Sequence, residues 1–276
     1  MEKYNQVSYL LSQKLTNSYS TSFSLATRLF PKHIRPSIYS IYGFVRLCDE
    51  VVDIPSVKSK RFLLEDIYHE LTRSQQNHFS TNLIINSFRL TADKYNINDD
   101  LIVAFLDSMK YDINFHTPNP LEYEQYIYGS AEVVGLMCLK IFCGGDSDLY
   151  NKASSAARSL GSAFQKINFL RDLRDDNQNL NRYYFPVGNY DNFDETTKKE
   201  IIKNIKKDLS VGLTGINLLP SNIRPAIRAS YLYYQQLLIK IEHSSITKLK
   251  NERIRINNFT KLLLLLRAKY GLRMRY

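Results

Sequence analysis

The chain has 276 residues, 44% of them apolar and 23% charged, so it can bury a sizeable core and has an ordinary globular mix. Its formal charge of +10 reads equally as a solvated basic surface or as a match for an anionic partner, whether nucleic acid, a membrane surface or a phosphorylated small molecule. Three cysteines without CxxC spacing (Cys48, Cys138, Cys143) and five scattered histidines exclude a disulfide framework and a zinc site, and point to a reducing compartment. The opening Met1-Glu-Lys-Tyr-Asn-Gln lacks the apolar core of a signal peptide, and no run approaches the ~20 apolar residues of a membrane span.

A first helix is predicted over 2–17, followed by the hydroxyl-rich segment Ser18-Tyr-Ser20-Thr-Ser22-Phe23-Ser24, which can cap a helix or hold an oxyanion. Pro36 then opens a helix over 37–53, in which Ile38, Ile41, Tyr42, Val45, Cys48 and Val52 recur at spacings of three and four. Its end carries Arg46, Asp49, Glu50 and Asp53 before Pro55 stops it. Carboxylates are ordinarily disfavoured at that negative pole. Further helices are predicted at 58–75, 80–95, 99–115, 121–143, 147–178, 195–212, 221–243 and 257–270, with caps at Asn98-Asp99-Asp100, Pro120-Leu-Glu and Asp194-Glu195-Thr196. No alternating strand pattern, phosphate-binding glycine loop or linker interrupts the series, so one all-α domain is expected over 1–276. The C-terminal region is basic (Lys248, Lys250, Arg253, Arg255, Lys261, Arg267, Lys269, Arg273, Arg275) and holds the run Leu262 to Leu266. It reads either as an amphipathic helix docked on the core or as a contact with an anionic membrane.

Within the predicted helix 147–178, Gln165, Asn168, Asp172 and Asp176 share one face, and Asp49 and Asp53 share another. A single such pair is ordinarily a solvated face. Here both pairs sit in apolar, aromatic-rich helices and each is accompanied by arginine. Facing carboxylate pairs suit Mg²⁺, a hard ion that takes a few carboxylates and fills its other sites with phosphate oxygens. Arg46, Arg171 and Arg182 can add charge-assisted bonds to a diphosphate. If the diphosphate leaves an allylic carbon, the cation left behind needs apolar and aromatic walls, each ring face attracting it by roughly 0.5–2 kcal/mol. Tyr42, Phe23, Tyr126, Tyr128 and Phe169 are candidates, with core packing as the plainer role for any one of them.

These residues resemble the squalene/phytoene synthase family. Asp49-Glu50-Val-Val-Asp53 is similar to its first aspartate-rich motif, and Gln165-x-x-Asn168-x-x-Arg171-Asp172-x-x-Asp175-Asp176 to its second. Ser20-Thr-Ser22-Phe23-Ser24, Ile41-Tyr42-Gly43-Phe44-Val45-Arg46, Tyr126-Ile-Tyr128-Gly129 and Arg182-Tyr-Tyr184-Phe185-Pro186 follow in family order. Asp175 stands where glutamate is more usual, and Glu132 where a small residue is. The resemblance implies an isoprenoid-synthase helical bundle with a central apolar channel, lined by Phe23, Thr27, Tyr126, Tyr128 and Phe169. It implies Mg²⁺ (or Mn²⁺) on Asp49, Asp53, Asn168, Asp172 and Asp176, and diphosphate on Ser20, Ser22, Arg46, Gln165, Asn168, Arg171 and Arg182. Tyr42 joins the aspartates in the catalytic set. The implied reaction joins two prenyl diphosphates head to head through a cyclopropyl diphosphate. The pattern is most like bacterial members that convert geranylgeranyl diphosphate to phytoene, and the small Thr27 leaves room for a long tail. With no dinucleotide fingerprint, NADPH is not expected. Prenyl diphosphates are the expected partners, in the cytoplasm with peripheral contact to an anionic membrane, and nucleic acid is not. The alternatives are dehydrosqualene or squalene synthesis from farnesyl diphosphate and a non-catalytic assembly factor.

Overall fold

A computed structural model describes residues 1–271, so that Arg273 and Arg275 of the basic C-terminal region lie outside the described residues. Among the described residues there are helices and no strand, as the 3.6-residue periodicity requires. Helix α1 (Glu2–Tyr19) faces the bundle with hydroxyls, burying Ser8, Ser12 and Thr16 at every fourth position. Ser20 caps α2 (Thr21–Thr27) by accepting a hydrogen bond from Phe23 N–H at 3.2 Å, so the second half of the hydroxyl-rich segment is itself helical. Helix α3 (Arg35–Asp53) has Pro36 in its first turn and buries Ile38, Ile41, Phe44, Cys48 and Val52 along one stripe. A Cβ on Gly43 would stand 2.8 Å from Ser12 Oγ, so glycine is what lets α1 and α3 pack this closely.

Helices α4 (Lys60–Asn77), α5 (Leu83–Tyr95) and α6 (Asp99–Ile113) pack against α3. Asn98 stands at the N-cap of α6, yet its side chain makes no capping bond. The expected cap at α7 (Pro120–Ile127) is a full capping box, Asn119 with Glu122. Helix α7 continues through a π-helical turn (Tyr128–Glu132) into α8 (Val133–Cys143). The stretch Pro120–Cys143 is long and apolar enough to cross a membrane, with an 18-residue window of mean hydropathy 1.4, contrary to the sequence expectation. Half of that window is buried, and its neighbours are α6 and α9, which is the setting of a core helix.

The second half comprises α9 (Ser147–Arg171), α10 (Leu173–Leu180), α11 (Glu195–Leu218), α12 (Arg224–Glu242), α13 (Ile246–Asn251) and α14 (Asn258–Tyr270). Asp194 caps α11 as expected, and α13, absent from the sequence reading, is capped by Ser245. The helix expected over 147–178 is divided at Asp172, whose φ of −100° and ψ of 8° leave the helical region. Asp172 N–H still bonds Asn168 C=O at 2.8 Å and Asp176 N–H bonds Asp172 C=O at 2.9 Å, so the ladder bends at this point and is not cut. One hydrophobic cluster is built on α3–α6 and α8, another on α9–α13 and the turn after α10. Residues of both clusters line an apolar cavity of about 330 Å³.

Candidate functional site

The two acidic ridges lie beside this cavity, since Val45 on α3 and Asn168 on α9 line it and stand one turn before Asp49 and Asp172. On α3, Asp49 is pushed up to about 7, first by burial and then by the charge of Asp53. On α10, Asp176 is pushed up to about 8, again by burial first, with Asp172 and then Asp53 adding to it. That Asp176 feels Asp53 brings the ridges within electrostatic reach. The other two carboxylates are held by guanidinium groups. Arg171 forks onto Asp172, its Nε donating to Oδ1 at 2.9 Å, and Arg253 Nε lies 2.7 Å from the same oxygen. Arg182 Nη1 donates to Asp53 Oδ1 at 2.8 Å. Arg46 pairs with Glu50, approaches Asp49 Oδ2 at 4.0 Å and rests over the Tyr19 ring at 4.2 Å.

Arg182 is 5% exposed, and its donors go to protein acceptors. Besides Asp53 it bonds the carbonyls of Val52 at 3.2 Å and Asp112 at 3.0 Å, and approaches Tyr184 Oη at 3.3 Å. The structure therefore places it as a latch joining the ends of α3 and α6, where it fixes Asp53. Asp112 is the residue that sequence reasoning missed. It is buried near the end of α6, pushed up to about 6 by that burial, and accepts hydrogen bonds from Tyr126 Oη at 2.9 Å and Tyr184 Oη at 3.2 Å. A carboxylate near a helix C-terminus was the available signal, the same oddity that drew notice at Asp49 and Asp53.

Of the residues expected along the channel, Phe23 and Thr27 line the cavity, and Tyr42 stacks near Phe23 with centroids 4.9 Å apart. Tyr126 and Phe169 do not line it. They belong to an aromatic stack around Tyr184, with Phe169 and Tyr184 centroids at 4.2 Å, which packs beneath the Arg182 latch. Tyr128 also lies outside the cavity lining, under the Arg158 guanidinium at 5.2 Å. Glu132 bonds that same arginine at 2.6 Å, so the unexpected carboxylate ties the π turn to α9 and leaves the channel apolar. Both spacings put a side chain on a helix, but neither says which flank meets the cavity.

The cavity wall on α9 is continuous, with Ala153, Ala156, Ala157, Leu160, Gly161, Phe164, Gln165 and Asn168 all facing it. From Ala153 to Asn168 that is about 22 Å at 1.5 Å per residue. The wall is polar at the aspartate end, where Gln165 and Asn168 enter it, and oily beyond. At the far end Phe30 and Phe142 stack with centroids at 5.2 Å. A side pocket shares Phe23, Ala26, Ser230 and Tyr234 with the cavity and gathers Ser20, Ser22, Arg171, Tyr233 and Lys261. Ser20 also lies beside the Tyr42 phenol, whose pKa burial raises.

The donor set fits a hard divalent cation. Asn168 Oδ1 is buried without a hydrogen-bond partner, an orphan acceptor beside the second ridge. Among the described residues no three carboxylate, histidine or cysteine side chains converge enough to cage an ion unaided. Mg²⁺ ordinarily takes one or two carboxylates and completes its shell with water and substrate phosphate.

The squalene/phytoene synthase family model matches residues 16–260. A 4,4'-diapophytoene synthase of Staphylococcus haemolyticus is 28% identical over 207 residues, covering 72% of this chain and 70% of that protein. A phytoene synthase of Arthrospira platensis is 26% identical over 262 residues, covering 86% and 84%. Among solved structures, a dehydrosqualene synthase superposes with a TM-score of 0.83 at 20% identity, over 98% of both chains. The squalene synthase HpnC of Alicyclobacillus acidocaldarius gives 0.75 at 20% identity, over 86% of this chain and 94% of that one.

Proposed function

The chain belongs to the squalene/phytoene synthase family, whose chemistry is head-to-head condensation of prenyl diphosphates, and we propose that it joins two geranylgeranyl diphosphates to give phytoene. The observation that carries this reading is the cavity along α9. It begins at Asn168, one turn before Asp172, and continues for about 22 Å of helix along a wall rich in alanine and glycine. A wall of this length, oily beyond Gln165 and Asn168, can lie along one extended prenyl tail whose diphosphate is held at the ridges.

In this reading Asp49, Asp53, Asp172, Asp176 and the orphan Asn168 Oδ1 hold the divalent cations. When bound, these supply Lewis-acid neutralisation of the departing diphosphate. Arg46 and Arg171, with Ser20 and Ser22 across the side pocket, orient its oxygens. Arg182 keeps Asp53 in place from behind. The first C1–O bond breaks with its electron pair leaving on the diphosphate, and the allylic cation is attacked by the double bond of the second substrate. Loss of a proton closes the cyclopropane. Departure of the second diphosphate, rearrangement and loss of another proton complete the polyene without a reductant. Phe23, Tyr42 and the apolar wall keep water from the cations.

A second reading, dehydrosqualene from two farnesyl diphosphates, draws support from the Phe30–Phe142 stack at the end of the cavity and from the similar identity of the two relatives. Purified protein incubated with Mg²⁺ and either C15 or C20 diphosphate, with and without NADPH, decides between them. A C40 hydrocarbon formed without NADPH is the expected product. C30 product alone would give the second reading, and no hydrocarbon from either substrate would remove both.

A further inference from the structure

Helix α14 docks one face and leaves the other bare. Leu264 and Ala268 are buried against the bundle, where α12 and α2 are its neighbours. Phe259, Leu262, Leu266 and Tyr270 are 70%, 53%, 41% and 61% exposed. At 100° per residue these four fall within an arc of about 80°, on the side opposite Leu264 and Ala268. The leucine run therefore divides between two jobs: part of it anchors the helix, and the rest faces outward with an aromatic at either end. Lys269 lies beside this stripe with its ammonium 5.0 Å from the Tyr270 ring, and Arg267 lies on the opposite flank of the same helix. Lys261 sits further round, at the side pocket that Leu264 and Leu265 roof.

We propose that the outer face of α14 is a docking surface for an anionic lipid bilayer, with the helix lying in the plane of the interface. The stripe supplies apolar side chains for the acyl boundary, and the cations on its flanks match anionic headgroups. The chain's formal charge of +10 works in the same direction over a longer range. A membrane suits this face better than a second protein because of what lies underneath. The side pocket beneath α14 borders the oily cavity, the two sharing Phe23, Ala26, Ser230 and Tyr234 as a common wall. Where the proposed function holds, a water-insoluble hydrocarbon is made one helix away from lipid. Binding itself does not depend on that function and is measured separately from it.

The test is co-flotation of the full-length protein with vesicles of phosphatidylcholine alone and of phosphatidylcholine with phosphatidylglycerol at about three to one, at low and physiological salt. The protein is expected to float with the anionic vesicles and to bind the neutral ones at least about tenfold more weakly. Leu262→Asp with Leu266→Asp changes only exposed positions, so circular dichroism should be unaltered while flotation falls to background. Lys269→Gln should weaken binding by roughly fivefold and make its salt dependence shallower. Parent-like flotation of the double aspartate variant would overturn the proposal. Equal binding to neutral vesicles would overturn its electrostatic part. A parent that sediments as a dimer, is made monomeric by the double variant and floats with neither vesicle would assign the face to a second copy of the chain instead. Hydrocarbon synthesis in detergent by the non-floating variant is expected at the parent rate, which separates failure of docking from failure of the proposed reaction.

Discussion

Asp53 and Asp172 differ from Asp49 and Asp176 in how the protein meets their charge. Asp172 is gripped by Arg171 and Arg253, and Asp53 by the buried Arg182. Asp49 and Asp176 lie next to these clamped residues on the same ridges, and burial drives them to about 7 and about 8. Each ridge thus carries one carboxylate compensated by the fold and one left wanting a cation. Full compensation by arginine would leave no demand for a metal, and none at all would leave too much buried repulsion for the helices to pack. Under the proposed function, this division lets the bundle pack while leaving Asp49 and Asp176 to divalent cations.

Replacing either kind of aspartate should remove activity, yet the two kinds should move stability in opposite directions. Asp49→Asn and Asp172→Asn are each expected to lower kcat by about a hundred- to a thousandfold. In metal-free protein at pH 8, Asp49→Asn should raise stability by about 1–2 kcal/mol, because a desolvated charge is gone. Asp172→Asn should lower it by about 1–3 kcal/mol, because two guanidinium groups lose their acceptor. Thermal melts of both variants in EDTA check this, and shifts of the same sign would dissolve the distinction.

The latch gives the largest purely structural effect. Arg182→Met leaves Asp112 and Asp53 without their cation in a buried setting and should cost about 3–5 kcal/mol. Tyr184→Phe removes one hydrogen bond to Asp112 and should cost only about 1 kcal/mol. Urea titrations of the two variants would compare them directly, and a mild Arg182→Met would mean that Asp53 is held by something else.

The pH dependence follows from the unclamped pair. Asp49 and Asp176 have native pKa values raised above the ~3.9 of the unfolded chain, so between those limits the native state binds more protons than the unfolded one. Stability in EDTA should therefore fall as pH rises from about 4 to about 8 on account of these two groups. Mg²⁺ with inorganic diphosphate should flatten that slope, by binding the folded form only. A slope unaffected by the pair Asp49→Asn with Asp176→Asn would assign the dependence to other groups.

Much of this was legible from the chain alone. The 3.6-residue stripe of Ile38, Ile41 and Val52 located α3, and the odd acidic ending of that helix located the first ridge. The bend at Asp172 was not legible, since no glycine or proline marks it and the backbone ladder continues through it. Asp112 was passed over for a different reason, its position near a helix C-terminus being the one signal it gave. It has no motif, and its partners Tyr126, Tyr184 and Arg182 reach it from distant parts of the chain. Periodicity assigns a residue to a helix face. Which neighbour covers that face depends on packing, and so Tyr126 and Phe169 read equally well as channel walls and as supports of the latch.

Effects on substrate choice, and not on turnover or stability, belong to the interior, where clamped and unclamped charges give way to shape. Thr27 lines the cavity, and its Oγ1 donates to Phe23 C=O at 2.8 Å, so the hydroxyl is satisfied locally and does not make the wall polar. Thr27→Phe adds a ring within the cavity and should shift product from C40 toward C30 with little change in total turnover. Phe142→Ala acts at the other end, where it removes half of the stack with Phe30 and lengthens the space available to a tail. Filling a cavity and opening one each alter apolar contact by about 1–3 kcal/mol, enough for a ten- to two-hundredfold change in preference between substrates differing in length. Competition assays with mixed C15 and C20 diphosphates read that ratio directly. If neither substitution moves it, tail length is measured somewhere other than along α9, and the cavity serves only to exclude water.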